Sequence, residues 1–124
     1  MSPLETIGGL LALRNITDRF VDRCFDDTMI GFFFRDADRH RVKKFEYQHA
    51  AEWLGAPISY EGRPLGAAHR KHRIMGGQFA RRLQILREVL QESKVDEALI
   101  SEWIAHQESL RLHITGQPGG ECHD

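Results

Sequence analysis

The chain has 124 residues, of which 41% are hydrophobic and 28% charged, as expected for one soluble globular domain. Seventeen Lys and Arg oppose eighteen Asp and Glu, so the net charge of -1 argues against nucleic-acid or anionic-membrane partners. No stretch approaches the roughly 20 apolar residues of a membrane span, and no basic leader precedes an apolar run. Two distant cysteines, Cys24 and Cys122, do not make a disulfide framework. We therefore expect a cytoplasmic protein.

The first part of the chain predicts two helices. Residues 3–13 predict a short helix that Gly8 and Gly9 interrupt, because glycine weakens a helix interior. Asn15 or Thr17 could cap a second helix, which ends in acidic residues. One face of this second helix carries an apolar stripe, formed by Ile16, Phe20, Val21, Cys24 and Phe25.

The middle of the chain predicts a turn, a third helix and a loop. GFFF, residues 31–34, is too short for an α-helix and too apolar for a solvated loop, so we expect it to fill the core through a tight turn. Asp36 or Asp38 can cap a third helix that extends to about Leu54. Residues 55–64, GAPISYEGRP, hold two glycines and two prolines and predict a loop.

The last part of the chain predicts further helices. A short helical piece carries His69, and Gly76-Gly77 break it before an amphipathic helix over residues 78–92. A final helix extends to Leu110, and a polar tail follows it. No run alternates as a half-buried strand does, so the sequence predicts an all-α domain of about five or six helices.

The third helix carries two polar residues on a face that should be apolar. Glu46 and His49 share that face with Val42, Phe45, Ala50 and Trp53. A carboxylate there is costly unless it is paired or protonated. Either the helix rolls so that both residues reach water, or both face an enclosed pocket. Arg82, at the edge of the stripe of the 78–92 helix, could pair with Glu46 or could be solvated.

The segment AAHRKHRIMGG, residues 67–77, concentrates bases and allows three interpretations. His69 and His72 could share a metal ion, but a zinc site usually needs three or four ligands and the other histidines are scattered. The basic run could contact phosphates, but no nucleic-acid motif surrounds it. One imidazole facing an apolar cavity could instead hold haem iron, with the nearby Arg and Lys at the propionates.

An ordered set of motifs resembles the truncated hemoglobins, the short two-over-two helical globins. These motifs are TIGG near the start, TDRFVDRCFDDTMIGFFF, and LGAPISYEGRPLGAAH, which ends at His69. Ile74 and Phe79 follow that histidine by five and ten residues, as in the family. The resemblance covers residues 4–115 and implies a globin domain over residues 1–116 with a flexible tail at 117–124.

The resemblance implies haem b as the cofactor and His69 as its iron ligand. It implies that the helix of residues 39–54 covers the distal side of the haem, and that the His69 segment covers the proximal side. The further residues that it implies around the cofactor are Val21, Phe34, Val42, Phe45, Tyr60, His72, Arg73, Ile74 and Phe79.

The chain departs from the family pattern at four positions of the distal pocket. Val21 stands where the family usually has a tyrosine, and it cannot donate a hydrogen bond. Glu46, His49 and Arg82 stand where other residues are usual, and they are the candidate catalytic residues. His49 or Arg82 could donate to the gas ligand, and His49 could instead ligate the iron itself.

The resulting expectation is a haem protein that binds O2, NO or CO and has NO-detoxifying or peroxidase-like chemistry as candidate activities. No flavin or nicotinamide motif is present, so redox turnover would need a separate electron-donating reductase. We expect a monomer or a weak homodimer. The alternative is a globin-like domain that has lost haem and serves as a regulatory or binding module.

Overall fold

The computed structural model describes residues 2–62 and 76–110. Within these ranges lie α1 (Pro3–Thr6), α2 (Gly9–Asp26), a 3₁₀ helix (Gly31–Phe34), α3 (Arg39–Trp53), α4 (Gly76–Glu92) and α5 (Glu97–Ser109). No strand occurs in the described ranges, which confirms the all-α prediction. None of the helices described is both long and apolar enough to span a bilayer.

The helices pack as two pairs. Helix α2 packs against α3 and also against α4, and α4 packs against α5. The pair α2–α3 therefore lies over the pair α4–α5, as predicted for a two-over-two sandwich. Each large apolar side chain buried between them contributes about 1.5–3 kcal/mol to the hydrophobic term. The main core consists of Leu13, Ile16, Phe20, Val21, Cys24, Ile30, Ala50, Ala51, Ile85, Leu86, Val89, Leu90, Val95, Leu99, Ile100 and Trp103.

The start of α2 differs from the prediction. Neither Asn15 nor Thr17 caps a helix, because α2 is continuous from Gly9 to Asp26 and both residues lie inside it. The break falls at Gly8 and Gly9, whose φ angles of 106° and 89° favour glycine. The Thr17 hydroxyl is satisfied within the helix, where it donates to the carbonyl oxygen of Arg14 at 3.3 Å.

The corner after α2 is fixed by Asp27. Its carboxylate accepts hydrogen bonds from the backbone N–H groups of Met29 and Ile30 at 3.0 and 3.2 Å. The same carboxylate accepts from Arg81 on α4 at 2.8 Å, and this bond, followed by the backbone bonds, lowers the pKa of Asp27. The corner leads into the 3₁₀ helix, which is the tight turn expected for GFFF. Phe34 packs on the core, whereas Phe32 stays exposed.

Helix α3 begins after Asp38, one of the two predicted caps. The Asp38 carboxylate accepts from the N–H groups of His40 and Arg41 at 3.0 and 3.3 Å. The helix is rolled so that Gln48 is buried. The Gln48 side chain holds the following loop, because its Oε1 accepts from the N–H of Glu61 at 3.0 Å and its Nε2 donates to the Glu61 carboxylate.

Helix α4 begins at Gly76, two residues before the predicted start, so the glycine pair opens this helix instead of preceding it. The predicted stripe is confirmed, since Phe79, Leu83, Leu86 and Leu90 are all buried. The predicted helical piece around His69 and the tail at 117–124 lie outside the described residues.

The cap of α3 can be tested by removing one carboxylate. We expect Asp38→Ala to lower the free energy of unfolding by about 1 kcal/mol, because two first-turn N–H groups lose their acceptor. Urea unfolding followed by circular dichroism measures the change. Asp36→Ala is the control and should cost less than about 0.5 kcal/mol, as for an ordinary surface position. Equal costs at both positions would contradict the assignment.

Candidate functional site

A small cavity lies where α2, α3, α4 and the 3₁₀ helix meet. Its volume is about 50 Å³. A water molecule occupies about 30 Å³ of liquid, so the space suits a molecule of two or three atoms. The cavity is lined by Phe20, Val21, Cys24, Phe25, Phe34, Val42, Glu46 and Arg82. Six of these are apolar or sulfur-bearing, and the last two carry charge.

The apolar wall comes mainly from the stripe of α2. Phe20 and Val21 are each 2% exposed, so this side of the cavity is closed to solvent. Phe34 reaches the cavity from the 3₁₀ helix and stacks on Phe25 with ring centroids 4.8 Å apart. Burial raises the pKa of the Cys24 thiol to about 12, so the sulfur is a neutral part of the wall at physiological pH.

The charged wall is an ion pair between α3 and α4. Nη2 of Arg82 lies 3.4 Å from Oε1 of Glu46, so of the two alternatives that the sequence leaves open the structure has the ion pair. Arg82 is 8% exposed, and the side chain of Glu46 is 22% exposed. The roll of α3 therefore leaves Glu46 at the edge of the core, where it reaches both water and the buried guanidinium.

Gln107 on α5 is a third member of this group, and sequence reasoning missed it. Nη1 of Arg82 donates to Oε1 of Gln107 at 2.5 Å, and Gln107 is 3% exposed. The guanidinium carbon also lies 5.0 Å from the ring centroid of Phe20 and 6.0 Å from that of Phe79. Side chains from α2, α3, α4 and α5 thus fix the position and plane of one cation.

His49 does not line this cavity. Its ring lies 5.5 Å from that of Tyr60, nearly perpendicular to it, and 5.7 Å from that of His106 on α5. His106 in turn stacks on Trp53, with centroids 4.8 Å apart and planes within 11°. Glu46 and Arg82 thus line the cavity, whereas His49 packs with Tyr60 and His106, although the sequence places all three in one candidate set.

The remaining predicted residues fall into three groups. Val21, Phe34 and Val42 line the cavity together with Glu46 and Arg82. Phe45, Tyr60 and Phe79 are outside its lining: Phe45 meets Tyr60 at 5.9 Å, and Phe79 is fully buried beside Leu83. His69, His72, Arg73 and Ile74 lie outside the described residues.

His106 holds a buried polar atom that finds no hydrogen-bond partner among the described residues, its Nε2. Burial, and then the charge of nearby His49, lowers the pKa of His106. Within residues 2–62 and 76–110, no group of three or more His, Cys, Asp or Glu side chains is placed to hold a metal ion.

Sequence comparison matches the family model of the bacterial-like globins to residues 2–116. The group 1 truncated hemoglobin GlbN of Synechocystis sp. is 29% identical over 102 residues, which cover 79% of this chain and 82% of that protein. GlbN of Mycolicibacterium paratuberculosis is 28% identical over 116 residues, 93% of this chain and 85% of that protein.

Structural comparison gives the same answer. THB1 of Chlamydomonas reinhardtii superposes with a TM-score of 0.79 at 28% identity, covering 91% of this chain and 95% of that one. The truncated hemoglobin of Tetrahymena pyriformis in its Fe(III) form superposes with a TM-score of 0.84 at 24% identity, covering 94% and 100%. The latter identity is low enough that the match speaks for the fold alone.

The stacked His106 predicts a pH dependence of stability. The pKa of His106 is lower in the folded protein than in the unfolded chain, where it is about 6.5, so the unfolded chain binds the proton more readily. The free energy of unfolding is therefore undiminished above about pH 6.5 and decreases as the pH falls below that value. We expect His106→Phe, which keeps a flat ring against Trp53, to lose less stability than the wild type between about pH 7 and pH 5. Denaturant unfolding of the haem-free protein at each pH measures this.

Exposed His40 provides the control for this experiment, and His40→Gln should retain the wild-type pH dependence. An unchanged acid sensitivity in His106→Phe would contradict the assignment of the effect to His106.

Proposed function

Because this chain belongs to the bacterial-like globin family as a truncated hemoglobin, we propose that it binds haem b and holds a diatomic gas in the cavity beside Arg82. The observation that carries the proposal is a buried guanidinium at the wall of a small, otherwise apolar cavity. Such a cavity offers a fixed donor to a ligand of two atoms.

The described residues fit a haem protein. The cavity is too small for a porphyrin and suits the gas-binding side of a haem pocket. Nε2 of His106 is buried and has no hydrogen-bond partner among the described residues, so it can bond to a group beyond them. Haem, when bound, supplies an iron that takes the gas, and the family resemblance assigns the protein ligand to His69.

The residues that line the cavity have two roles: the apolar ones exclude water, and Arg82 donates a hydrogen bond. Phe20, Val21 and Phe34 exclude water, and none of them can donate a hydrogen bond. Arg82 has five N–H donors, and its bonds to Gln107 and Glu46 engage one nitrogen each. We therefore assign to Arg82 the donor role that the family usually gives to a tyrosine, which Val21 replaces here.

This arrangement favours gas binding over peroxidase-like turnover. An imidazole that carries a proton in peroxide cleavage has to reach the ligand, and His49 lies outside the cavity lining. An iron-ligating role for His49 is disfavoured for the same reason. NO detoxification would require a separate reductase that supplies electrons.

Haem binding and its ligand are tested by two histidine variants. We expect the purified wild type to show a strong Soret band, His72→Ala to keep it, and His69→Ala to lose haem, because only His69 is assigned to the iron. Absorption spectra of the ferric, ferrous and CO-bound forms measure this. A wild type that stays colourless after haem titration would favour the haem-free binding module, and equal retention by both variants would contradict the ligand.

The donor is tested by O2 dissociation. A hydrogen bond from a charged donor contributes about 1.5–3 kcal/mol, so Arg82→Leu should speed O2 release by roughly ten- to a hundredfold. His49→Leu is the comparison and should change the rate less than about threefold, because its ring does not line the cavity. Stopped-flow release into a CO solution measures both. The reverse order of effects would assign donation to His49.

A further inference from the structure

Five aromatic side chains form a continuous row, here called the ring row, from the core to the loop after α3. The ring centroid of Trp103 on α5 lies 5.5 Å from that of Trp53 on α3. Trp53 lies 4.8 Å from His106 of α5. His106 lies 5.7 Å from His49, and His49 lies 5.5 Å from Tyr60. Each separation is within the range of aromatic rings in direct contact.

The two ends of the ring row differ in their access to solvent. Trp103 is 2% exposed, whereas Trp53 and Tyr60 are half-buried. Trp and Tyr are the aromatic side chains that lose an electron most readily, and the phenol of Tyr also has a proton to release when it does so. An electron taken from an indole of the row can therefore be replaced by a tyrosine that reaches water.

Two imidazoles connect the tryptophans to Tyr60. The plane of His106 lies within 11° of that of Trp53 and within 24° of that of His49, so these three rings are stacked. Burial, and then the charge of His49, lowers the pKa of His106, so its ring is neutral at physiological pH and does not oppose a positive charge on the neighbouring indole. Imidazole is hard to oxidise, so the radical resides on the indole or on the phenol.

The loop after α3 is held so that Tyr60 stays at the end of the ring row. The N–H of Tyr60 donates to the Glu52 carboxylate at 2.6 Å, and the N–H of Glu61 donates to Oε1 of Gln48 at 3.0 Å. His49 lies between these two acceptors in the sequence of α3. The ring of Tyr60 therefore meets that of His49 in a fixed, nearly perpendicular arrangement.

We propose that the ring row is a path for electron transfer that restores oxidised tryptophans, with Tyr60 as the electron donor at its solvent end. A strongly oxidising radical takes one electron from Trp53 and is reduced to its anion. Tyr60 then gives one electron to the Trp53 radical cation and its phenolic proton to water, which leaves neutral Trp53 and a tyrosyl radical. A soluble thiol returns a hydrogen atom to Tyr60 and becomes a thiyl radical. Trp103 exchanges an electron with Trp53 in the same way.

The path is tested by locating the oxidation products. The full-length protein is exposed to the dibromide radical anion, made by radiolysis of bromide, which oxidises Trp faster than neutral Tyr. A nitroso spin trap captures tyrosyl radicals, and peptide mass spectrometry locates both its adduct and the N-formylkynurenine formed from oxidised Trp. In the wild type we expect the adduct on Tyr60 and little product at Trp53 or Trp103. In Tyr60→Phe the oxidation stays on the indoles, so N-formylkynurenine should rise several-fold.

Tyr47→Phe is the matched control. Tyr47 is also half-buried, but its ring lies under the guanidinium of Arg14, 5.2 Å away, and is not part of the ring row. This variant should give the same products as the wild type. An equal rise of N-formylkynurenine in the two tyrosine variants would overturn the assignment of the donor role to Tyr60.

Trp53→Phe distinguishes transfer along the ring row from direct oxidation of Tyr60. Phenylalanine keeps a ring against His106 but does not lose an electron to this oxidant, so most of the Tyr60 adduct should disappear. An adduct of wild-type yield would mean that the oxidant attacks Tyr60 directly, which overturns the path. Circular dichroism confirms that each variant folds, and if Trp53→Phe does not, His106→Leu interrupts the row beside Trp53 and should cause the same loss.

These outcomes are independent of haem. A protein that takes up no haem overturns the proposed gas binding and leaves the electron path in place, because no step of the path uses the cofactor. A haem-loaded protein in which Trp53→Phe leaves the Tyr60 adduct unchanged overturns the path alone.

Discussion

The structure depends on one buried cation. Arg82 extends from α4 into the space between the helix pairs, and its guanidinium meets Glu46 of α3, Gln107 of α5 and the ring of Phe20 of α2. Leaving a guanidinium without partners inside a protein costs far more than one hydrogen bond returns, so these helices must keep their mutual positions. The cavity next to it owes its shape to the same constraint, because Glu46 and Arg82 form one of its walls.

Around this group the fold uses familiar devices at its corners. Asp27 closes the turn after α2 and binds Arg81, and Asp38 caps α3. Each places an element that contributes a side chain to the cavity: Phe34 follows the first corner, and Val42 and Glu46 follow the second. The local hydrogen bonds at these two corners therefore determine where the side chains that line the cavity lie.

The sequence itself predicts the helices and offers the Glu46–Arg82 pair as one of two alternatives, because each leaves a local trace, whereas the two-over-two arrangement was implied by the resemblance to the truncated hemoglobins. A polar residue on an apolar stripe is such a trace, and it identified Glu46 and Arg82. Gln107 leaves the same trace one turn after Trp103, but a neutral amide on an apolar face marks a buried polar site less sharply than a charge does. The packing of His49 on Tyr60 and His106, outside the cavity lining, was not predictable, because residues three apart differ by about 4.5 Å along a helix axis and the roll of α3 decides what each contacts. The start of α2 was misplaced because Asn15 and Thr17 have the chemistry of caps, whereas Gly8 and Gly9 have the backbone angles of a break.

The thiol in the cavity wall has a consequence for chemical durability. Sulfur reacts with oxidants and electrophiles mainly as the thiolate, and burial raises the pKa of Cys24 to about 12, so the thiol is neutral at physiological pH. The Cys24 sulfur can thus lie in the wall of the ligand cavity, close to reactive nitrogen or oxygen species, and still react with them only slowly. The burial of Cys24 in the cavity wall therefore also protects its sulfur, the most oxidisable atom of the lining, from oxidation.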